Sequence, residues 1–388
     1  MNGDIQCDAP REDKTLCIIF EAIGPFSAIA RVAMQDVLIA LDAGWKVTVV
    51  AKFLHETLRD RVEWLPLHVP QKVFLYQWVT ARYYIKKALG NRKFDVIHAH
   101  QPQSADFADI FQCHYLTRAA FERNSLTRVR NLHAAIIRAQ EQCVLYVEDY
   151  FYRHWNPATH MLYDSELTRL DFHRTYGVLN QEEVLTYAFP KIDFPTERER
   201  RLARSKAIGC EPSGLVVGYL GGIHERKGYR RLIKAVASDE GTFLMLAGQY
   251  TEDFEVPELN GRIKSVGLVL DLRQFYFACD VLVIPSLYEP LGLVAFEAAA
   301  HGLPVIATEE VGALPHLLEY GAGTPWNPTE SITTVVKDAV AMREQCNQGA
   351  IRMEQDLGAA SYGRRLLSLY DIVRSEKRGE TVAPPIPK

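Results

Sequence analysis

Apolar runs of four to six residues, bounded by glycine, proline or charge, alternate along this chain with longer stretches in which apolar residues recur every three to four positions. Residues 15–20 (T-L-C-I-I-F) are the first such run. Gly24 and Pro25 break it, and over 27–41 Ile29, Val32, Ala33, Val37, Ala40 and Leu41 fall near one side, the spacing of a helix lying on a core. Gly44 ends that helix, and 45–50 (W-K-V-T-V-V) give the next strand. A strand–helix–strand start predicts a parallel sheet with a right-handed crossover. Further strands are expected at 95–98, 110–114, 160–163 and 184–189, with a helix over 130–153. Continued alternation makes 1–190 one open α/β domain.

The pattern changes at Lys191. Residues 191–213 are first proline-broken and then densely charged, which reads as a linker or exposed helix. A second α/β series follows over 214–360, with strands expected at 215–220, 242–247, 262–266, 281–284 and 305–308. After Asn327 the chain reads as helical to about 375, with 361–375 expected to return to the first domain, and 376–388, rich in proline and charge, reads as a disordered tail. The predicted fold class is α/β: two doubly wound, Rossmann-like domains facing each other across a cleft.

Bulk composition narrows the function. The 388 residues are enough for two cores, and 48% hydrophobic with 24% charged residues is ordinary for a globular protein. A net charge of -4 lacks the basic excess of a nucleic-acid binder, so no nucleic-acid partner is expected. The 7 cysteines are scattered with no Cys-x-x-Cys pair, which argues against a disulfide framework or structural zinc site and suits a reducing compartment. Residues 1–14 carry no apolar leader, and no stretch is apolar for the ~20 residues a spanning helix needs. The expected location is cytoplasmic, with at most peripheral attachment to the inner face of a membrane.

The richest chemistry lies in 284–308, I-P-S-L-Y-E-P-L-G-L-V-A-F-E-A-A-A-H-G-L-P-V-I-A-T. A strand ends here, a loop carries Glu289, and an apolar helix from about Gly292 to Ala300 carries Glu297. The first turn of such a helix has unpaired N–H donors and a positive dipole end, which suits an anion. An unpaired carboxylate in so apolar a helix would cost several kcal/mol, so Glu297 needs a partner, and a ribose diol would serve. Residues 218–228, G-Y-L-G-G-I-H-E-R-K-G, form a second candidate: Gly221 and Gly222 let the backbone approach a diphosphate, and Lys227 supplies charge. His98, His100 and His114 lie at or near strand ends in D-V-I-H-A-H and F-Q-C-H-Y, and a histidine at the carboxyl end of a parallel strand faces the crevice where ligands bind. Residues 77–93 mix Trp78, Tyr83 and Tyr84 with Arg82, Lys86, Lys87, Arg92 and Lys93 and hold no acid, a candidate for peripheral membrane contact, while Arg118, Arg123, Arg128 and Arg130 form a second basic cluster.

The 284–308 stretch resembles the signature of retaining glycosyltransferases of the GT-B fold, family four in particular. The resemblance is close over 215–323 and looser in the N-terminal half. It implies that Glu289 contacts the transferred sugar and Glu297 the ribose of a nucleotide-diphosphate sugar. The N–H groups of Leu291, Gly292 and Leu293 would contact sugar hydroxyls or phosphate. Residues 218–228 are similar to the family's G-R-L-x-x-x-K-G, with Lys227 on its lysine. Gly222 stands at the arginine position, leaving Arg226 to supply charge from a different place, and Leu291 stands where the family often has an aromatic residue. His114 resembles the family histidine near the reacting sugar. The loop with Gly24 and Pro25 matches one that approaches phosphate and a hydroxylated acceptor, though the family usually has paired glycines there.

No Asp-x-Asp triplet follows an N-terminal strand and no His/Cys run has ligand spacing, so no cofactor and no essential metal is expected. A sugar-nucleotide epimerase and a catalytically silent nucleotide-sugar binder on the same fold are the alternatives. A Rossmann dehydrogenase is disfavoured, because no Gly-x-Gly-x-x-Gly with a following acid comes after the first strand.

Overall fold

The computed structural model describes residues 13–69, 74–123, 132–209, 214–223, 225–248 and 261–380. The first domain runs β1 (Thr15–Ile19), β2 (Ala22–Ile23), α1 (Ala28–Asp42), β3 (Lys46–Ala51), β4 (Phe53–Leu54), β5 (Glu63–Pro66), α2 (Phe74–Leu89), β6 (Val96–Ala99), β7 (Ile110–Cys113), α3 (Thr117–Arg123), α4 (Leu132–Arg153), β8 (His160–Tyr163), α5 (Glu166–Tyr176) and β9 (Glu182–Val184). The second runs α6 (Glu197–Ile208), β10 (Leu215–Leu220), α7 (Tyr229–Ala237), β11 (Thr242–Ala247), β12 (Ile263–Gly267), α8 (Leu272–Ala278), β13 (Val281–Ile284), α9 (Leu293–Ala300), β14 (Val305–Ala307), α10 (Leu314–Glu319), β15 (Gly323–Pro325), α11 (Ile332–Ala341) and α12 (Arg343–Leu357), and α13 (Ala359–Arg378) closes the chain.

Two parallel sheets result, ordered β5-β3-β1-β6-β7-β8-β9 and β12-β11-β10-β13-β14-β15. Helices cover both faces, so the inner strands are buried throughout, as β11 and β13 show. The strand order reverses between β1 and β6 in one sheet and between β10 and β13 in the other. Ligands of doubly wound sheets bind outside the carboxyl ends at such a reversal. The loops leaving these four strands carry Gly24, His100, Gly221 and Glu289.

The structure moves several expected boundaries. The short edge strands β5 and β15 are polar or proline-containing, which hides them from an apolar pattern. Conversely β9 stops at Val184, because Leu185, Tyr187 and Phe189 are apolar for another reason: they leave the sheet and pack into the cores of both domains. The 191–213 stretch is not a free spacer over its described part. A Thr196/Glu199 capping box starts α6, Ala203 and Ile208 join the second core, and the buried Arg200 donates to the carbonyls of Cys279 and Gly302 at 3.4 and 3.2 Å.

Helix α13 lies on the first domain, with Tyr362, Leu366, Leu369, Tyr370 and Val373 in its core. It continues through Arg378 and closes on Gly379 in the left-handed region (φ +67°), so 376–378 belong to the helix rather than to a tail. Residues 381–388 lie outside the described part.

Candidate functional site

At the end of β13 the chain turns outward and is clamped by the 310–313 loop: Glu289 N donates to Glu310 O (2.9 Å), Gly312 N to Glu289 O (2.9 Å) and Ala313 N to Leu291 O (2.8 Å). Gly292 then adopts φ +88°, where a Cβ would come within 3.0 Å of the Glu289 Cγ, so a side chain there would strain the backbone and crowd the carboxylate. Helix α9 starts at Leu293 with no side-chain cap. Ala295 N donates to Gly292 O at 2.8 Å, which leaves the N–H groups of Leu293 and Val294 for an outside acceptor. The Leu291 side chain is 2% exposed and packs in the second core, so its identity bears on packing.

The Glu289 carboxylate is met by two cations. Arg226 Nη1 lies 3.2 Å from Oε2 and donates to Tyr288 O at 2.7 Å, and Lys227 Nζ donates to the same Oε2. Both cations come from the turn after β10. Gly228 ends that turn at φ +67°, where a Cβ would collide with Pro285 O at 1.7 Å, so only a glycine lets the β10 and β13 loops approach this closely here. Gly221 N is tied to Ala247 O at 2.9 Å, and Gly222 O accepts from the Tyr219 hydroxyl at 3.0 Å. No arginine replaces Gly222, but Arg226 does arrive beside Lys227.

Glu297 is not the unpaired carboxylate that its apolar neighbours suggest. Tyr276 donates to Oε2 at 2.8 Å, and Arg31 of α1, from the opposite domain, lies 2.8 Å from Oε1. Sequence spacing missed both partners, which lie far away in the chain. Other contacts also join the domains at this level: Arg226 lies over the Tyr115 ring at 5.4 Å and Arg123 over the Tyr288 ring at 4.9 Å.

On the first domain, the histidines form a wholly buried group. His114 Nε2 is 2.9 Å from His100 Nδ1, and its Nδ1 pairs with the Tyr187 hydroxyl. His98 Nδ1 is 2.8 Å from the Tyr370 hydroxyl. Asp36 of α1 completes the group, accepting from the Tyr362 hydroxyl at 2.7 Å with Oδ2 3.5 Å from His100 Nε2. Asp36, His98 and His100 bring ligand-type atoms within 4.8 Å of one another, a grouping that spacing along the chain did not reveal. Burial dominates their titration. It pushes His98 and His114 down to about 3, with His98 adding to the effect on His114, and holds His100 well below its usual range. It pushes Asp36 up to about 7, against the pull of the Tyr362 hydroxyl. At neutral pH the imidazoles are uncharged. Nearby, Gly24 is buried and Pro25 exposed in the β2 loop, where a Cβ on Gly24 would meet the Phe26 ring at 2.7 Å.

The basic stretches are less free than their sequence suggests. Arg82 and Lys86 of α2 reach Asp106, and Arg92 reaches Glu63 at 3.1 Å, so acids absent from 77–93 are supplied by the fold. Arg118 pairs with Asp149, and Arg123 with Asp171 at 2.5 Å. Arg128 and Arg130 lie outside the described residues. Among the described residues no helix is long and apolar enough to cross a membrane.

Residues 214–348 match the family model for glycosyl transferases group 1. That segment contains Lys227, Glu289 and Glu297. The lipopolysaccharide core biosynthesis glycosyltransferase LpsE of Rhizobium meliloti (strain 1021) is 40% identical over 103 residues, 25% of this chain and 30% of its own length. The chain spans 30%, 61% and 37% of the first three curated relatives it matches. Over the whole chain the solved structure of WaaG, a glycosyltransferase involved in lipopolysaccharide biosynthesis, superposes with a TM-score of 0.70 at 17% identity, covering 93% of this chain and 99% of that one. Anabaena Alr3699/HepE in complex with UDP and glucose does so with a TM-score of 0.64 at 18% identity, covering 92% and 100%. Both are structural neighbours of the two-domain GT-B type, and the fold of this chain is GT-B.

Proposed function

We propose that the protein is a glycosyltransferase that moves a hexosyl group from a nucleotide-diphosphate sugar to an acceptor hydroxyl with retention of anomeric configuration, in glycan, glycolipid or glycoside synthesis. The observation that carries this reading is Glu289. It sits in the loop just before the N-terminus of α9, with Lys227 and Arg226 on its carboxylate. The family match over 214–348 supports the same reading.

In this mechanism Glu297 holds the ribose, and Lys227, Arg226 and the α9 N–H groups lie where charge gathers on the departing diphosphate. Glu289 orients the sugar. As the bond from the sugar C1 to the phosphate oxygen loosens, the acceptor oxygen approaches from the same face, and the leaving phosphate oxygen takes the acceptor's proton. Neutral His114, whose two ring nitrogens pair with His100 and the Tyr187 hydroxyl, acts on the acceptor side by holding those groups in place rather than by a charge. Two cations and a helix terminus supply the positive field, so we expect activity to survive chelation of divalent metals. The protein works in the cytoplasm or at the inner membrane face.

A thermal-shift screen against UDP-, GDP-, ADP- and CMP-sugars tests the donor. A ligand at about 100 times its dissociation constant adds ~2.7 kcal/mol. One of the four should raise Tm, and the glycoside then formed should keep the donor's anomeric configuration by NMR. Four flat curves would sink the donor assignment. An inverted product would sink retention.

A further inference from the structure

A cavity of about 620 Å³ opens at the carboxyl end of the first sheet, large enough for a molecule of drug-like size. Its two ends differ in chemistry. Toward the β3, β6 and β7 ends it is lined by Lys52, His100, Gln112 and His114. Away from them its wall is Leu67, Phe111, Phe121, Val144 and Tyr152, contributed by the β5 and β7 side and by α3 and α4.

The polar end is under-satisfied. Gln112 is fully buried with neither amide atom hydrogen-bonded, while buried His100 is held by His114 at Nδ1 and has Asp36 Oδ2 3.5 Å from its Nε2. Groups of this kind are costly unless something pairs with them. The histidines are neutral, so the end favours hydroxyls over carboxylate or phosphate. Two acids of α4, Glu141 and Glu148, also line the cavity. Glu148 is occupied as a cap, accepting from Thr117 N and Arg118 N at 2.8 and 3.2 Å. Lys52 lies 3.8 Å from Glu21, which also lines the cavity. A highly charged or wholly polar acceptor would leave the Leu67, Phe111 and Val144 wall wetted.

We propose that this cavity binds a neutral amphipathic alcohol, with its hydroxylated head at His100, Gln112 and His114 and its hydrocarbon body along α4. Calling that molecule the acceptor rests on the transferase reading. Its binding does not.

The test is titration calorimetry of the full chain with octyl β-D-glucoside and methyl β-D-glucoside, both below the micellar concentration. The two share a head and differ only in the body. Octyl glucoside should bind about 100-fold tighter or more, since each buried methylene contributes. Val144→Lys should cut that preference at least about tenfold while leaving the thermal shift by the nucleotide sugar unchanged. Val144→Leu should keep it. Equal binding of the two glucosides by the unaltered protein overturns the proposal without recourse to any variant. So does a preference that survives Val144→Lys in a protein with normal Tm. Octyl glucoside binding in a protein that no nucleotide sugar stabilises would uphold the cavity and sink the transferase reading. Nucleotide-sugar binding with no preference between glucosides would do the reverse.

Discussion

At the rim of the second sheet, Glu289 and Glu297 are each met by cationic side chains and stay partly open, with 14% and 13% of their side-chain surfaces exposed. At the rim of the first sheet, Asp36, His98, His100 and His114 are buried and hydrogen-bond to one another or to tyrosine hydroxyls. Both rims stand at a reversal of strand order, so topology alone predicts a ligand at each. Chemistry separates them. The second rim holds charges that can exchange one partner for another, which suits an ionic ligand that arrives and leaves. The first holds neutral polar groups in a low-dielectric setting, which suits orientation of an uncharged hydroxyl.

The largest effect that would break this contrast is at Glu289. Glu289→Gln keeps the shape of the loop and removes the charge facing Lys227 and Arg226. Transfer should fall by about 100-fold or more, on the scale of losing one preorganised electrostatic group at a reacting centre. The thermal shift caused by the nucleotide sugar should persist, because the ribose and diphosphate contacts proposed above fall to Glu297, Lys227, Arg226 and α9. Initial rates and melting curves on the same preparation read both. A near-normal rate would remove Glu289 from the chemistry. A lost thermal shift would make it a binding residue.

The second effect concerns the closed rim and is a matter of pH. Asp36 has its pKa raised from 3.8 to about 7 by burial, so the folded protein holds that proton more tightly than the unfolded chain. The stabilising contribution is complete below about pH 4 and is lost as pH rises toward 7. His98 and His114 work the other way. Their lowered pKa values cost stability as pH falls below about 6.5. Asp36→Asn removes only the first trend. The stability of the unaltered protein relative to this variant should therefore decline between about pH 4.5 and 7.5, by roughly 2–4 kcal/mol. Denaturant melts at several pH values measure it. A flat difference would show that the ionised carboxylate is compensated, and the closed rim would then be charged after all.

The two rims were also unequally legible in the amino-acid sequence. Glu289, Gly292 and Glu297 fall in one unbroken segment, because a strand, a loop and a helix that build one side of a site are consecutive in a doubly wound sheet. The strands themselves were readable for a related reason: inner strands covered on both faces are continuous apolar runs. What failed were relations between distant segments. Asp36 is an ordinary polar residue of α1 until α13 returns and covers it with Tyr362. Acid-free α2 looked like a basic surface until Asp106 folded against Arg82. The apolar residues 185–189 looked like a strand because a domain crossing buries side chains as thoroughly as a sheet does.

Arg31 offers the smallest effect and the sharpest sign. It reaches across from the first domain to Glu297 Oε1 at 2.8 Å, while Tyr276 holds Oε2. A ribose bound by Glu297 must share that oxygen with Arg31 or displace it. Arg31 is 45% exposed, so solvent screens the pair and its net worth is about 0.2–1 kcal/mol. Arg31→Ala should therefore tighten nucleotide binding by no more than about fivefold. Added salt should narrow the gap between the two proteins, because it weakens the pair only where the pair exists. Titration of the nucleotide diphosphate into both proteins at low and moderate ionic strength gives the sign directly. Tighter binding in Arg31→Ala makes this arginine a competitor for the ribose carboxylate. Weaker binding would make it a donor ligand supplied by the opposite domain.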